Sequence, residues 1–515
     1  MPRAAHKDVA ARRMGFGRPA NLSTVSGLVL AIDAGTTGIR SAAVDERGQI
    51  VSFSYREFTQ HFPQPGWVEH DANEIWATTV ETLTELAGQI EQPIAAIGIT
   101  NQRETVVAWN RQTGEPLHNA IVWQDRRTAA TCRDLTEAGH LDLIRSRTGL
   151  VLDPYFSGTK AGWLFREAGV ASGPETAIGT IDSWLIYKLT GGTVHVTEPS
   201  NASRTLLFDI DDMAFNDELC DVLGVPPHVL PEVQTTSGRF GVTTADFPFG
   251  AGIPISGAAG DQQAALFGQA CFAPGDAKNT YGTGSFVLMN LGSSRPEPTD
   301  GLLTSVAWTL PGEAPTYCAE GAIFVTGAAV QWLRDGLQII DDAAELEPLA
   351  LQCDDTGGVM FVPALTGLGS PWWDPFARGT IVGITRGTGR AEIARSVIEA
   401  MVYQTRDVVE AMAASATTTI GRLRVDGGAS VMNTMLQMQA DQLGVPVERP
   451  ANQQTTVMGA AYLAGIAEGF WSSPNDVSAA WELEASFSPN ADADRSTGYA
   501  QWQQAVHRSL AWTTD

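Results

Sequence analysis

Cysteine is scarce in this 515-residue chain: Cys132, Cys220, Cys271, Cys318 and Cys353 stand far apart and never as Cys-x-x-Cys. That spacing supports neither a disulfide framework nor a zinc site, and it suits a reducing cytoplasm. Positive charge is short as well, with 33 Lys and Arg against 58 Asp and Glu and a net charge of −25. Such an excess argues against nucleic acid or an anionic membrane as the main partner. A phosphate ligand would have to be held by local amides, a metal ion and a few placed cations. No apolar run approaches the roughly 20 residues that span a bilayer, so stable membrane insertion is not expected. The run Gly-x-x-x-x-Gly-Lys-Ser/Thr is missing, which excludes a P-loop. Residues 1–26 carry Arg3, Lys7, Arg12, Arg13 and Arg18 without an apolar core segment. They read as a disordered extension, an early start ahead of Met14, and not as a secretory signal, although a transit peptide stays open.

What is present describes a globular protein, 43% hydrophobic and 18% charged, and too long for one core. Residues 28–32 form an apolar run ending at Asp33. The turn Ala34-Gly35-Thr36-Thr37-Gly38 and a second strand-like run, 41–44, follow it. A third extended segment near 50–58 precedes a helix that Asp71 and Glu74 open as a capping box, with Ile75, Val80, Leu83 and Leu86 as its buried stripe. A strand over 94–99 then delivers Asn101-Gln102-Arg103-Glu104-Thr105. The second half restarts alike: a strand over 278–281, the turn Gly282-Thr283-Gly284, and the apolar strand 285–289. Helical patterns at 325–340, 392–413 and 458–469 and a strand at 423–425 follow. Two halves that open alike predict duplicated α/β domains facing a cleft, where ligands usually sit. Pro274-Gly275 marks the boundary.

Five segments carry chemistry. Arg103 offers only donors and ionised Glu104 only acceptors, so the pair can grip a neutral compound with neighbouring hydroxyls, a polyol; a surface ion pair is the plainer alternative. The hairpin from Asp33 to Arg40 offers glycine-freed amides, the hydroxyls of Thr36 and Thr37, and a carboxylate able to hold Mg²⁺. In Gly260-Asp261-Gln262-Gln263, Asp261 stands after a strand where a helix begins. There it can accept a hydroxyl proton or simply cap the helix. Gly282-Thr283-Gly284 and Asp426-Gly427-Gly428-Ala429 are glycine corners suited to close approach by a nucleotide.

Taken with Ile121-Val122-Trp123-Gln124, the run Asp153 to Lys160, and Gly367-Leu368-Gly369-Ser370-Pro371-Trp372-Trp373-Asp374-Pro375, these segments resemble the FGGY family of carbohydrate kinases from about Leu28 to the C-terminus. Within it they resemble the branch that acts on glycerol, since the ketopentose branches carry a different segment at Asn101–Thr105. The resemblance implies two ribonuclease H-like (actin-like ATPase) domains flanking a cleft. Residues 27–273 would bind glycerol and phosphate, and 274–515 the nucleotide. It implies ATP and Mg²⁺ as cofactors, formation of sn-glycerol 3-phosphate, a cytoplasmic location and a homo-oligomer, dimer or tetramer. Arg103, Glu104, Tyr155, Asp261 and Gln262 would bond the glycerol hydroxyls, Trp123 and Phe286 would line its carbon edge, and Asp261 would be the base. Thr36, Thr37, Gly38, Arg40, Thr283, Gly327, Gln331 and Gly428 would surround the nucleotide, with Asp33 at the metal. Gly327 and Gln331, four apart on a helix, can face one ligand.

Two positions depart from the family pattern. Met432 stands where relatives often place an Asn against the nucleotide, with Asn433 next. Gly252 stands where members inhibited by fructose 1,6-bisphosphate carry an Arg, so such inhibition is not expected. Two other readings stay open: a kinase of the same fold for a tetritol or pentose, and an actin-like ATPase with no polyol site.

Overall fold

The structure, a computed structural model, describes residues 26–298, 301–415 and 419–513; the expected N-terminal extension lies outside them apart from Ser26. Alternating and continuous apolar runs assemble two large sheets. The first contains β1 (Leu28–Ala34), β2 (Gly38–Val44), β3 (Ile50–Glu57), β4 (Ile94–Asn101), β5 (Ser237–Val242) and β6 (Pro254–Gly260), in the order β5-β6-β4-β1-β2-β3. The second contains β7 (Asp276–Tyr281), β8 (Ser285–Gly292), β9 (Leu303–Trp308), β10 (Thr316–Ile323), β11 (Arg422–Asp426), β12 (Val447–Pro450) and β13 (Leu483–Phe487), in the order β9-β10-β8-β7-β11-β12-β13. β1 pairs antiparallel with β2 and parallel with β4, and β7 pairs antiparallel with β8 and parallel with β11. The two hairpins close with one bond each, Gly35 N–H to Gly38 O at 3.0 Å and Gly282 N–H to Gly284 O at 2.8 Å. This is the duplicated ribonuclease H-like arrangement that the resemblance implies.

The first helix, α1 (Ala72–Ala87), is capped by Asp71, whose carboxylate accepts from Asn73 N–H at 2.8 Å. The expected capping box is incomplete, because Glu74 accepts instead from Thr59 N–H at 3.0 Å and Thr59 Oγ1 at 2.9 Å. Val80 is only half-buried, and Thr78, Thr79 and Thr82 share the buried face with Ile75, Leu83 and Leu86. Their hydroxyls tolerate that burial by bonding locally: Thr79 Oγ1 donates to Ile75 O, and Thr82 Oγ1 meets Ser41 Oγ, each at 2.8 Å. After β6 comes α2 (Asp261–Gly268). The helix expected over 325–340 is α only in α3 (Gly327–Gln331) and continues as a π turn, Trp332–Gly336. A long helix, α4 (Arg390–Ser415), backs the second sheet.

The last helix that matters here is α5 (Thr455–Ala467), apolar on every side. It belongs by sequence to the second half yet packs on β1, β4 and β6 of the first and against α2. Its residues Val457, Met458, Ala460, Ala461, Leu463 and Ala464 share one buried cluster with Val29 and Ala96 of the first sheet and Leu288 of the second. Among the described residues no helix is long and apolar enough to cross a membrane.

Candidate active site

β4 ends at Asn101 and the chain turns sharply, with Glu104 at φ 62°, a left-handed conformation that non-glycine residues rarely adopt. The turn is tied from several sides. Asn101 exchanges amide bonds with Asn201 at 2.9 and 3.1 Å. Gln102 Nε2 donates to Gly35 O at 3.1 Å, Thr105 Oγ1 donates to Gln102 Oε1 at 2.9 Å, and Ser157 Oγ donates to Glu104 O at 3.1 Å. Arg103 and Glu104 are 2% and 1% exposed, so they are not a surface pair. Nor do they chiefly hold each other, standing 3.8 Å apart.

Arg103 Nε lies 3.2 Å from Asp261 Oδ1 and its Nη2 donates to Tyr155 Oη at 3.4 Å. The Phe286 ring stands 5.9 Å from its guanidinium carbon. Tyr155 is packed edge-on to Trp123 at 5.6 Å, and Trp123 Nε1 donates to Thr36 Oγ1 at 2.9 Å. Lys160, buried, fixes the Tyr155 backbone by donating to its carbonyl at 2.6 Å. The structure thus brings Arg103, Glu104, Trp123, Tyr155, Asp261, Gln262 and Phe286 together near the head of the first glycine hairpin, Gly35–Gly38. Polar groups and aromatic walls alternate there as a small polyhydroxylated molecule requires.

Asp261 opens α2, and its Oδ1 accepts from Gln262 N–H at 2.7 Å. Burial raises its pKa, while Arg103 and Lys278 pull it back down. Asp33, at the end of β1 and opposite Arg40 in register, is pushed up to about 7 by burial, with Asp261 adding to the rise and Arg40 opposing it. Lys278, fully buried on β7 and lowered to about 8 by that burial, donates to Gln262 Oε1 and to Thr280 Oγ1. With its oxygen occupied, Gln262 presents its amide N–H groups.

Thr283, Gly327, Gln331, Gly428 and Met432 line a single cavity of about 560 Å³ together with Tyr281, Arg334 and Glu347. Gly327 and Ala328 N–H bond back to Gly282 O and Thr283 O at 3.0 Å, locking hairpin and helix into one wall. Thr36, Thr37, Gly38 and Arg40 form a separate group on the first hairpin. Arg40 reaches across to Gln454, just before α5. Met432 faces the cavity, whereas Asn433 is turned to Arg449, whose Nη1 donates to it at 3.0 Å. Gly252 has φ +84° and open space where a side chain would point.

Sequence reasoning missed Arg204, Lys278, Glu320 and Glu347. Glu320 accepts from Arg103 at 2.6 and 3.0 Å and from Arg204 at 3.0 Å; burial alone would raise it, but those two cations hold it at about 2. The signal was faint but real: Glu320 is a lone carboxylate in the apolar strand Tyr317-Cys-Ala-Glu-Gly-Ala-Ile, a placement that costs heavily without partners.

Comparison with known proteins agrees with this geometry. Glycerol kinase 2 of Thermotoga maritima is 54% identical over 492 residues, covering 94% of this chain and 99% of that protein. Glycerol kinase of Carboxydothermus hydrogenoformans is 52% identical over 497 residues, covering 95% and 99%. The crystal structure of Plasmodium falciparum glycerol kinase with ADP superposes with a TM-score of 0.88 at 34% identity, covering 94% and 98%. A xylulose kinase from Lactobacillus acidophilus superposes at 0.83 with 21% identity, over 94% and 96%, a likeness of fold alone. Residues 28–268 match the N-terminal domain, and residues 277–468 the C-terminal domain, of the FGGY family of carbohydrate kinases, and the chain belongs to that family.

Proposed function

We propose that this protein transfers the γ-phosphoryl group of ATP to glycerol, giving sn-glycerol 3-phosphate and ADP, the first step of glycerol catabolism. The observation that carries the reading is the Arg103–Glu104 turn, buried beside Asp261 and walled by Trp123 and Phe286, at the head of the hairpin Gly35–Gly38, in a chain whose second glycine hairpin lines a nucleotide-sized cavity. Arg103, Glu104, Tyr155 and Gln262 hold the hydroxyls, and the two rings cover the carbon edge. Asp261 takes the proton of a terminal hydroxyl as its oxygen attacks the γ-phosphorus in line and ADP leaves. A carboxylate suffices, since the transition state is loose and little base strength is needed. Amides of the two glycine hairpins and Arg40 offset charge on the phosphates. The nucleotide lies against Thr283, Gly327, Gln331, Gly428 and Met432, and closure of residues 27–273 on 274–515 excludes water.

Among the described residues no cluster of three or more acidic, His or Cys side chains is preformed for a metal. Asp33 nonetheless fits Mg²⁺, which keeps its waters and takes phosphate oxygens with only one or two carboxylates. Asp33 would hold it, directly or through water, and the ion would neutralise charge on the β- and γ-phosphates.

ADP release measured with glycerol, erythritol, xylulose and gluconate tests the assignment: glycerol should be preferred, and millimolar fructose 1,6-bisphosphate should leave the rate unchanged. Preference for a longer acceptor would move the protein to another branch of the family, and ATP turnover indifferent to every acceptor would remove the polyol site. We also take the protein to be cytoplasmic and a dimer or tetramer. Exposed Val51 and Phe53 on edge strand β3 offer surface for a second copy, and sedimentation would report the state.

A further inference from the structure

Arg103 has five N–H groups, and their partners divide into a tight face and a loose one. Nη1 donates to Glu320 Oε2 at 2.6 Å and Nη2 to Glu320 Oε1 at 3.0 Å, the parallel fork of a guanidinium on a carboxylate. Nη1 also reaches Gln263 Oε1 at 3.2 Å. The remaining edge, Nε and the second Nη2 proton, meets Asp261 at 3.2 Å and Tyr155 at 3.4 Å. That looser edge faces the residues assigned to glycerol.

Glu320 is fully buried on β10, opposite Leu288 of β8 and Leu303 of β9. A carboxylate in that setting is tolerable only if fully paired. Its Oε1 accepts from Arg204 Nη2 at 3.0 Å. Arg204 in turn donates Nε to Glu104 Oε1 at 2.6 Å and Nη1 to Ser305 Oγ at 2.9 Å. The charges therefore alternate along Glu104, Arg204, Glu320 and Arg103, and both ends of the chain are residues that grip the alcohol. Glu320 is the member contributed by the second half of the molecule.

We propose that Glu320 is a positioning residue for the alcohol: it sets the plane of Arg103 directly and the carboxylate of Glu104 through Arg204. This rests on the reading of the site as a polyol site. The reach of Glu320 stops there, since neither it nor the two arginines line the nucleotide cavity.

Steady-state kinetics of Glu320→Gln and Glu320→Asp, with glycerol and MgATP varied separately, test it. Glu320→Gln keeps the shape and loses the charge. It should lower kcat/KM for glycerol roughly 10- to 100-fold, the scale of a misplaced reacting group, with the KM for ATP within about twofold. Glu320→Asp keeps the charge but withdraws it by one methylene, and should fall between wild type and Glu320→Gln. In an Arg103→Gln background, Glu320→Gln should cause little further loss, because the two act as one unit. If Glu320→Gln does not fold, Glu320→Asp and Arg204→Lys, which preserve charge, decide the matter by the same split. A kcat/KM for glycerol within twofold of wild type, both KM values rising together, or multiplicative losses in the double variant would each overturn the proposal. If the unaltered enzyme prefers a different polyol, the assignment of glycerol fails, and the same variants measured on that polyol still decide the role of Glu320.

Discussion

Asp261 has to remain a carboxylate next to a carboxylate that does not want to ionise. Burial raises both Asp261 and Asp33, and what favours the ionised form of Asp261, as the proposed base, is its contact with Arg103 and the nearby charge of Lys278. Replacing it with Asn keeps the shape and removes the proton acceptor. Asp261→Asn should reduce kcat by about 10²-fold or more, and near-normal ADP release would take Asp261 out of that role. Two adjacent glycines are needed for different reasons. Gly427 has φ 86°, and a Cβ there would lie 2.5 Å from Tyr281 O, so the backbone itself forbids a side chain. Gly428 meets nothing within 4 Å and opens onto the cavity of about 560 Å³ proposed for the nucleotide. Gly428→Leu should therefore leave the thermal midpoint nearly unchanged while raising the KM for ATP by about tenfold, a cost of roughly 1.4 kcal/mol. A lowered midpoint with normal ATP affinity would mean that the space over Gly428 is not where the nucleotide sits.

At the scale of elements, α5 is held by what its neighbours lack. A Cβ on Gly459 would lie 1.8 Å from Ala264 O of α2, one on Gly268 1.9 Å from Thr455 O, and one on Gly98 of β4 2.0 Å from Ala460 O. The helices and strand touch backbone to backbone, so a single methyl forces them apart. Gly459→Ala should cost about 1–3 kcal/mol, the usual range for overpacking, read as a clear drop in the thermal midpoint; an unchanged midpoint would show that the crossing has slack. Asp426 gathers the same elements, accepting from Gln269 Nε2 at 2.9 Å after α2 and from Thr455 Oγ1 at the start of α5. The glycine corner Gly427-Gly428 is thereby joined to the helices on which the two halves meet.

For the molecule as a whole, the proposed alcohol site takes residues from both halves, Arg103 and Asp261 from the first and Phe286 and Glu320 from the second. Breaking a buried pair such as Arg103–Glu320 costs on the order of 3–5 kcal/mol. Acid stability is a balance of buried groups. His70, lowered to about 4 by burial, is kept neutral, with Nε2 donating to Gln60 Oε1 at 2.7 Å and Nδ1 accepting from Gln102 at 3.3 Å. Because its folded pKa lies below the usual 6.5, the unfolded chain binds the proton first. The stability His70 contributes is complete above pH 6.5 and is lost on the way down to 4. Asp33 and Glu198, both raised to about 7 by burial, act in the opposite direction over much of the same range. The His70 contribution therefore shows by difference: the stability gap between wild type and His70→Gln should narrow by roughly 2 kcal/mol between pH 6.5 and 5. A gap that does not change with pH would mean that the imidazole is not held neutral.

Much of this molecule was settled locally. The glycine hairpins at Gly35–Gly38 and Gly282–Gly284, the strands leading into them, the helix opened by Asp71 and the position of Asp261 at the start of α2 depend on turn chemistry and hydrophobic alternation, which act over a few residues. For that reason the duplicated fold, and the cluster that we assign to the alcohol, could be read from the amino-acid order and its family resemblance. Folding alone decided which charges face each other. It turned Glu74 toward Thr59, wound the end of α3 into a π turn, seated Met432 in the cavity while Asn433 went to Arg449, and brought Arg103 onto Glu320, 217 positions away in the chain. Pairing between buried ions is set by which sheets share an interior, and no local pattern encodes that.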